Sequence, residues 1–148
     1  MDILSPKAAE MTRREWRDLG FFYFSDDDVK EWQLTGSKEG LLRFADSLDA
    51  YATDPQFAAQ SEHDHFGPHM YLKVMTWPDA GIDGRSIHGT QEDIQRLAVL
   101  VRQKLSAAHA GEVVSVGSEY VADAEYKIVF RVKEDGFDPA SEDPQLAG

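Results

Sequence analysis

Cysteine is absent from this chain of 148 residues. Disulfides, thiol nucleophiles and cysteine-held metals are thereby excluded, and any metal chemistry falls to histidine and carboxylate. Basic residues are scarce, 15 against 27 acidic ones, for a formal net charge of −12. That balance opposes nucleic-acid binding, which needs a basic surface to neutralise phosphates. It suits a basic protein partner, because complementary charge speeds encounter. No apolar run approaches the ~20 residues of a membrane-spanning helix. The stretch MDILSPKAAEMTRREWRDLG lacks the basic start and apolar middle of a secretory leader, so the expected placement is cytoplasmic with no membrane partner. A P-loop lysine and a G-x-S-x-G nucleophile elbow are missing as well.

What is present is a duplication. WQLTGSKEGLLRFADSL (Trp32–Leu48) aligns without gaps on RSIHGTQEDIQRLAVLV (Arg85–Val101), at a constant offset of 53 residues. Gly36, Ser37, Glu39, Arg43 and Ala45 match Gly89, Thr90, Glu92, Arg96 and Ala98. Ser37 and Thr90 are natural N-caps, whose side-chain oxygens take an orphan helix N–H. Glu39 and Glu92 suit the first turn and stand four residues before Arg43 and Arg96, a favourable surface pairing. The glycine before each cap allows a sharp bend from strand into helix. Leu41, Phe44, Ala45, Leu48 and Ala52 form a helical stripe, as do Ile94, Leu97, Ala98, Val101 and Leu105.

Around these helices the alternation predicts strands at Gly20–Phe24, Val29–Gly36, His69–Trp77, Gly84–Gly89, Glu112–Tyr120 and Glu125–Lys133. The polar turns SDDD and PDAGID are read as joining the first and second strand pairs. In MYLKVMTW, Met70, Leu72, Val74 and Thr76 make the more apolar face, and Tyr71, Lys73, Met75 and Trp77 a mixed one. Ser5 as cap, Pro6 at the first helical position and Gly20 past the end mark an N-terminal helix. The expected fold is α+β, a two-layer sandwich of a largely antiparallel sheet with two helices on one face. Its duplicated ββα units make it a relative of the ferredoxin-like fold. Residues 1–133 form one domain, with units at about 21–68 and 69–110 and closing strands over 112–133. The acidic tail, 134–148, is expected to be extended or partly disordered.

Three of the five histidines fall in SEHDHFGPHM, Ser61–Met70. His63 and His65 face the same way in an extended segment, as a metal-binding H-x-H pair would. If His69–Trp77 and Ile82–Gly89 form a hairpin, His88 falls opposite Tyr71, close to His69. A set of His63, His65, His69 and His88 with an open coordination position would hold a divalent metal such as zinc and support metal-assisted hydrolysis. The alternative is a polar loop leading into a strand, with no cofactor and no catalytic residue. The carboxylate runs Asp26–Asp28, Asp123–Glu125 and Ser141–Pro144 read as solvated turns. For a basic partner, the candidate contacts are Asp26, Asp27 and Asp28 together with Glu62 and Asp64.

The segment Gly36–Ala45, of the form G-S-x-x-G-L-x-x-F-A, with Leu48 and the later HMYLKVMTW, resembles small bacterial immunity proteins of polymorphic toxin systems. Immunity protein family thirty-two is the nearest in pattern, over about Trp32–Gly89. The chain also looks like widespread bacterial proteins that carry no assigned activity. The resemblance implies a non-enzymatic cytoplasmic protein that binds and blocks a cognate toxin. A homodimer formed through an exposed sheet edge is a further expectation.

Overall fold

The computed structural model describes residues 4–68 and 72–146, and the fold is α+β. The N-terminal helix α1 spans Pro6–Leu19, with Ser5 accepting the Ala8 N–H and Gly20 closing it in the left-handed conformation at φ +96°. Strand β1 (Phe22–Asp26) and β2 (Glu31–Ser37) follow as a hairpin, then helix α2 (Lys38–Thr53). Next come β3 (His63–Phe66), β4 (Leu72–Thr76), β5 (Gly81–Ile82) and β6 (Ser86–Gly89), then helix α3 (Gln91–Ala107). β7 (Val113–Val116) and β8 (Lys127–Lys133) complete the strands. Both repeat helices start at the expected caps: Ser37 accepts the Gly40 N–H, and Thr90 forms a reciprocal capping box with Asp93.

The strands form two four-stranded mixed sheets, in the orders β1-β2-β8-β7 and β3-β4-β6-β5. In the first, β2 and β8 are parallel and flanked by antiparallel partners. In the second, β4 and β6 are parallel and flanked in the same way. The duplication thus extends beyond the aligned segment to two ββαββ units, β1-β2-α2-β3-β4 and β5-β6-α3-β7-β8. Each unit sends its last hairpin to the other unit's sheet. β4 lies beside β6, and β8 lies beside β2.

This exchange overturns the expected hairpin between the third and fourth strands. PDAGID does not return β4 onto itself. Its Gly81–Ile82 forms the short edge strand β5, which makes the hairpin with β6. β4 instead runs parallel to β6, and the Trp77 N–H extends that ladder to Gly89 O at 2.8 Å. His88 consequently pairs with Met75 rather than Tyr71. The stretch read as a polar loop is also in part a strand, β3, antiparallel to β4.

Both predicted helical stripes are buried, with Leu41, Phe44, Ala45 and Leu48 on α2 and Ile94, Leu97, Ala98, Val101 and Leu105 on α3. Phe44 sits between the rings of Phe21 and Phe130, with centroids 5.8 and 6.0 Å away. The helices are antiparallel neighbours. Lys38, at the start of α2, reaches Ser106 O at the end of α3, and Gln91, at the start of α3, reaches Tyr51 O and Asp54 O at the end of α2. Arg102 on α3 bonds Asp46 and Asp49 on α2.

The repeat's arginines and glycines have tertiary duties that differ from those expected. Arg43 donates to Asp18 O, and Arg96 donates to the carbonyls of Glu119 and Tyr120 while pairing with Asp93 rather than Glu92. Gly36 and Gly89 sit where another segment comes close. A Cβ on Gly36 would lie 3.0 Å from Gly20 O, and one on Gly89 would lie 2.6 Å from the Tyr120 hydroxyl. The acidic tail is ordered from Glu134 to Leu146, with 3₁₀ turns at Pro139–Glu142 and Pro144–Leu146. Pro139, Ala140 and Asp143 are buried, and the Trp16 indole N–H donates to Asp143 Oδ2 at 2.8 Å. Arg17 forks onto both oxygens of Asp138 at 3.1 and 3.0 Å, which holds that carboxyl below the usual range.

Candidate functional site

The second sheet has one apolar and one polar face, and the register says which residue goes where. Leu72, Val74, Thr76 and Ile87 are buried. The alternate positions carry the polar face: His63 pairs with Met75, which pairs with His88, and His65 pairs with Lys73, which pairs with Ser86. Paired residues and residues two apart share a face, so His63, His65, Lys73, Met75, Ser86 and His88 lie on one surface. His63 and His65 are exposed, and Lys73, Met75 and His88 are half-buried.

The histidines divide into two groups on that surface. The His63 and His65 rings are 4.9 Å apart in an edge-on arrangement, and His63 Nδ1 lies 3.1 Å from Ser61 O. His88 sits two strands away, roughly 10 Å at the backbone. Its Nδ1 is 3.0 Å from Ser86 Oγ and 4.0 Å from Asp83 Oδ2. A Cβ on Gly81 would lie 2.5 Å from His88 Nε2, so the ring leans over β5 and away from β4. His69 lies outside the described residues. His88 thus stands apart from His63 and His65, and among the described residues no three His, Asp or Glu side chains gather to hold a metal ion.

The acidic candidates are dispersed too. Asp26 closes its own turn by accepting the N–H groups of Asp28 and Val29. Asp64 accepts the N–H of His65, and Glu62 supplies its carbonyl to the Tyr51 hydroxyl. Asp28 and Glu62 are exposed. Asp26–Asp28 belong to the first sheet and Glu62 and Asp64 to the second.

Asp27 is part of an acidic corner that linear reading missed. The Tyr126 hydroxyl donates to Asp27 Oδ1 at 2.7 Å, and Asp83 and Glu125 add their field there. The hydroxyl's proton is held by a carboxylate among like charges, which pushes Tyr126 up to about 12. Gly84 packs against the pair, since a Cβ there would lie 2.9 Å from the Tyr126 hydroxyl. The three carboxylates come from three turns separated by tens of residues. DDD, at Asp26–Asp28, and DAE, at Asp123–Glu125, were visible in sequence as separate carboxylate runs, but their meeting with Asp83 was not. The same corner joins the sheets: Tyr126 N–H bonds Ile82 O at 3.0 Å, and the Trp32 indole N–H bonds Asp83 O at 2.7 Å.

No helix among the described residues is long and apolar enough to cross a membrane. No family model matches the chain, and neither a curated protein nor a solved structure is significantly similar to it.

Proposed function

We propose that the chain is a non-enzymatic acidic binding protein of the immunity type, neutralising a basic toxin in the cytoplasm by covering its working surface. The observation that carries this reading is the acidic corner, where Asp27, Asp83 and Glu125 converge around Tyr126 in a chain of net charge −12. Exposed Asp28 extends it on the β1–β2 turn, and the bonds from Tyr126 and Trp32 hold the turns rigid. A fixed array of like charge favours a cationic groove, speeds encounter and loses strength as salt rises.

The test is co-expression with the toxin encoded beside this gene. Protection of the host and co-purification of the two proteins are expected. Asp28→Lys combined with Glu125→Lys lowers the association rate at least tenfold, with the loss shrinking at high salt. A gene that stands alone and protects against no toxin overturns the reading.

A further inference from the structure

We propose that His63, His65 and Met75, side by side on the open face of the second sheet, bind one copper(I) ion. The juxtaposition follows from register: His63 and Met75 are directly opposed on adjacent antiparallel strands, and His65 is two residues along on the same face. Opposed side chains start about 5 Å apart at Cβ. The two imidazole rings are already in contact at 4.9 Å.

The His63 ring is set for ligation. His63 Nδ1 faces Ser61 O at 3.1 Å, and a nitrogen facing a carbonyl must carry the proton. Its Nε2 therefore keeps its lone pair, and donation of the other ring N–H to a carbonyl is the usual support of a metal-bound histidine. Exposure of both histidines gives an ion access without unfolding.

The donor set selects the metal. Zinc takes thiolate, imidazole and carboxylate, and this chain has no cysteine. Asp64 alternates to the opposite face of β3 and accepts the His65 N–H, so it does not complete the set. The third donor is the thioether of Met75, a soft ligand that favours copper(I). His88 stays out because its ring leans over Gly81. Lys73, opposite His65, is the nearest like charge by register and weakens the site. This inference is independent of toxin binding, which is assigned to the acidic corner.

The experiment is anaerobic titration of untagged full-length protein with copper(I) against a chromophoric competing chelator, alongside zinc(II). One equivalent of copper(I) is expected, held at least tenfold more tightly than zinc. Met75→Leu keeps the side-chain volume, lowers copper(I) affinity at least tenfold and leaves zinc binding unchanged. His63→Asn lowers copper(I) affinity as much or more and weakens zinc as well, His88→Asn has no effect, and Lys73→Gln tightens binding. X-ray absorption of the loaded protein shows sulfur together with nitrogen scatterers. Copper(I) binding that survives both Met75→Leu and His63→Asn, or no stoichiometric binding, overturns the proposal. Thermal melts of each variant separate lost ligands from a lost fold.

Discussion

Lys38 and Gln91 stand at matched positions, 53 residues apart, and each reaches the C-terminal turn of the other's helix. The pairing is reciprocal, as a two-fold relation between the halves requires. Its two ends differ in strength. Gln91 Nε2 serves two carbonyls, Tyr51 O at 3.0 Å and Asp54 O at 2.8 Å, in a half-buried setting, whereas Lys38 makes one exposed bond.

Gln91→Ala therefore removes two side-chain bonds from carbonyls that keep only their backbone donors, Asp54 N–H to Tyr51 O and Phe57 N–H to Asp54 O, and lowers stability by about 1–2 kcal/mol. Lys38→Ala stays within about 0.5 kcal/mol of the parent. Urea denaturation of the two variants measures the difference, and equal losses would contradict the asymmetry.

Trp16 and Asp143 tie the two ends of the chain together through a buried bond of 2.8 Å. Asp143→Ala strands the indole N–H in the core and costs about 1–3 kcal/mol. Trp16 emission shifts to the red as the tail loosens. Unchanged stability and emission would mean that the tail is dispensable.

Gly40 has no room for a side chain. A Cβ there would sit 2.0 Å from Gly20 O, a backbone atom that cannot step aside alone. Gly40→Ala accordingly pushes Gly20, at the C-terminal end of α1, away from the first turn of α2, although alanine is the better helix former. A loss of about 1–3 kcal/mol is expected from such overpacking. Limited proteolysis should then cut first between α1 and β1.

Tyr126 makes the fold sensitive to alkali. Its pKa is pushed up from 10.0 to about 12, so the folded state holds the proton more tightly than the unfolded one. The stabilisation is complete below about 10 and is lost as pH rises through about 12. Tyr126→Phe flattens the urea midpoint across that window, and Asp27→Asn shifts the loss to lower pH. A parent whose midpoint does not fall there would refute the link.

Glu119 acts at the other end of the scale. Its bond to Lys104, at 2.7 Å, and the Gly117 N–H hold it down from 4.5 to about 2. The contribution is present above about 4.5 and is lost as pH falls towards 2. Because Glu119 is 39% exposed, solvent screening keeps the effect small. Lys104→Met should narrow the difference between neutral and acid midpoints by a small amount, and an unchanged difference would contradict the link.

The parts of this fold that were legible in sequence are those governed by local physics. The cap at Ser5, the closure at Gly20, the caps Ser37 and Thr90, and both buried helical stripes depend on residues within a few positions of one another. The split faces of β4 were legible for the same reason, because alternation is a property of one strand.

Partnership between strands was not legible. Two ββαββ units can each fold back on themselves or exchange hairpins with nearly the same local patterns, so contacts distant in sequence select between those outcomes. The exchange carried His88 to Met75, turned its ring over Gly81 and separated it from His63. It also drew Asp27, Asp83 and Glu125 together around Tyr126. The tail misled for a related reason: its acidic residues read as solvated, yet Asp138 and Asp143 meet Arg17 and Trp16 from the far end of the chain. Sequence alone determined the repeat, the caps, the buried stripes and the acidic balance, each a matter of near neighbours or of composition. Tertiary structure decided which histidines and carboxylates meet, because those meetings close loops of tens of residues that no local preference encodes.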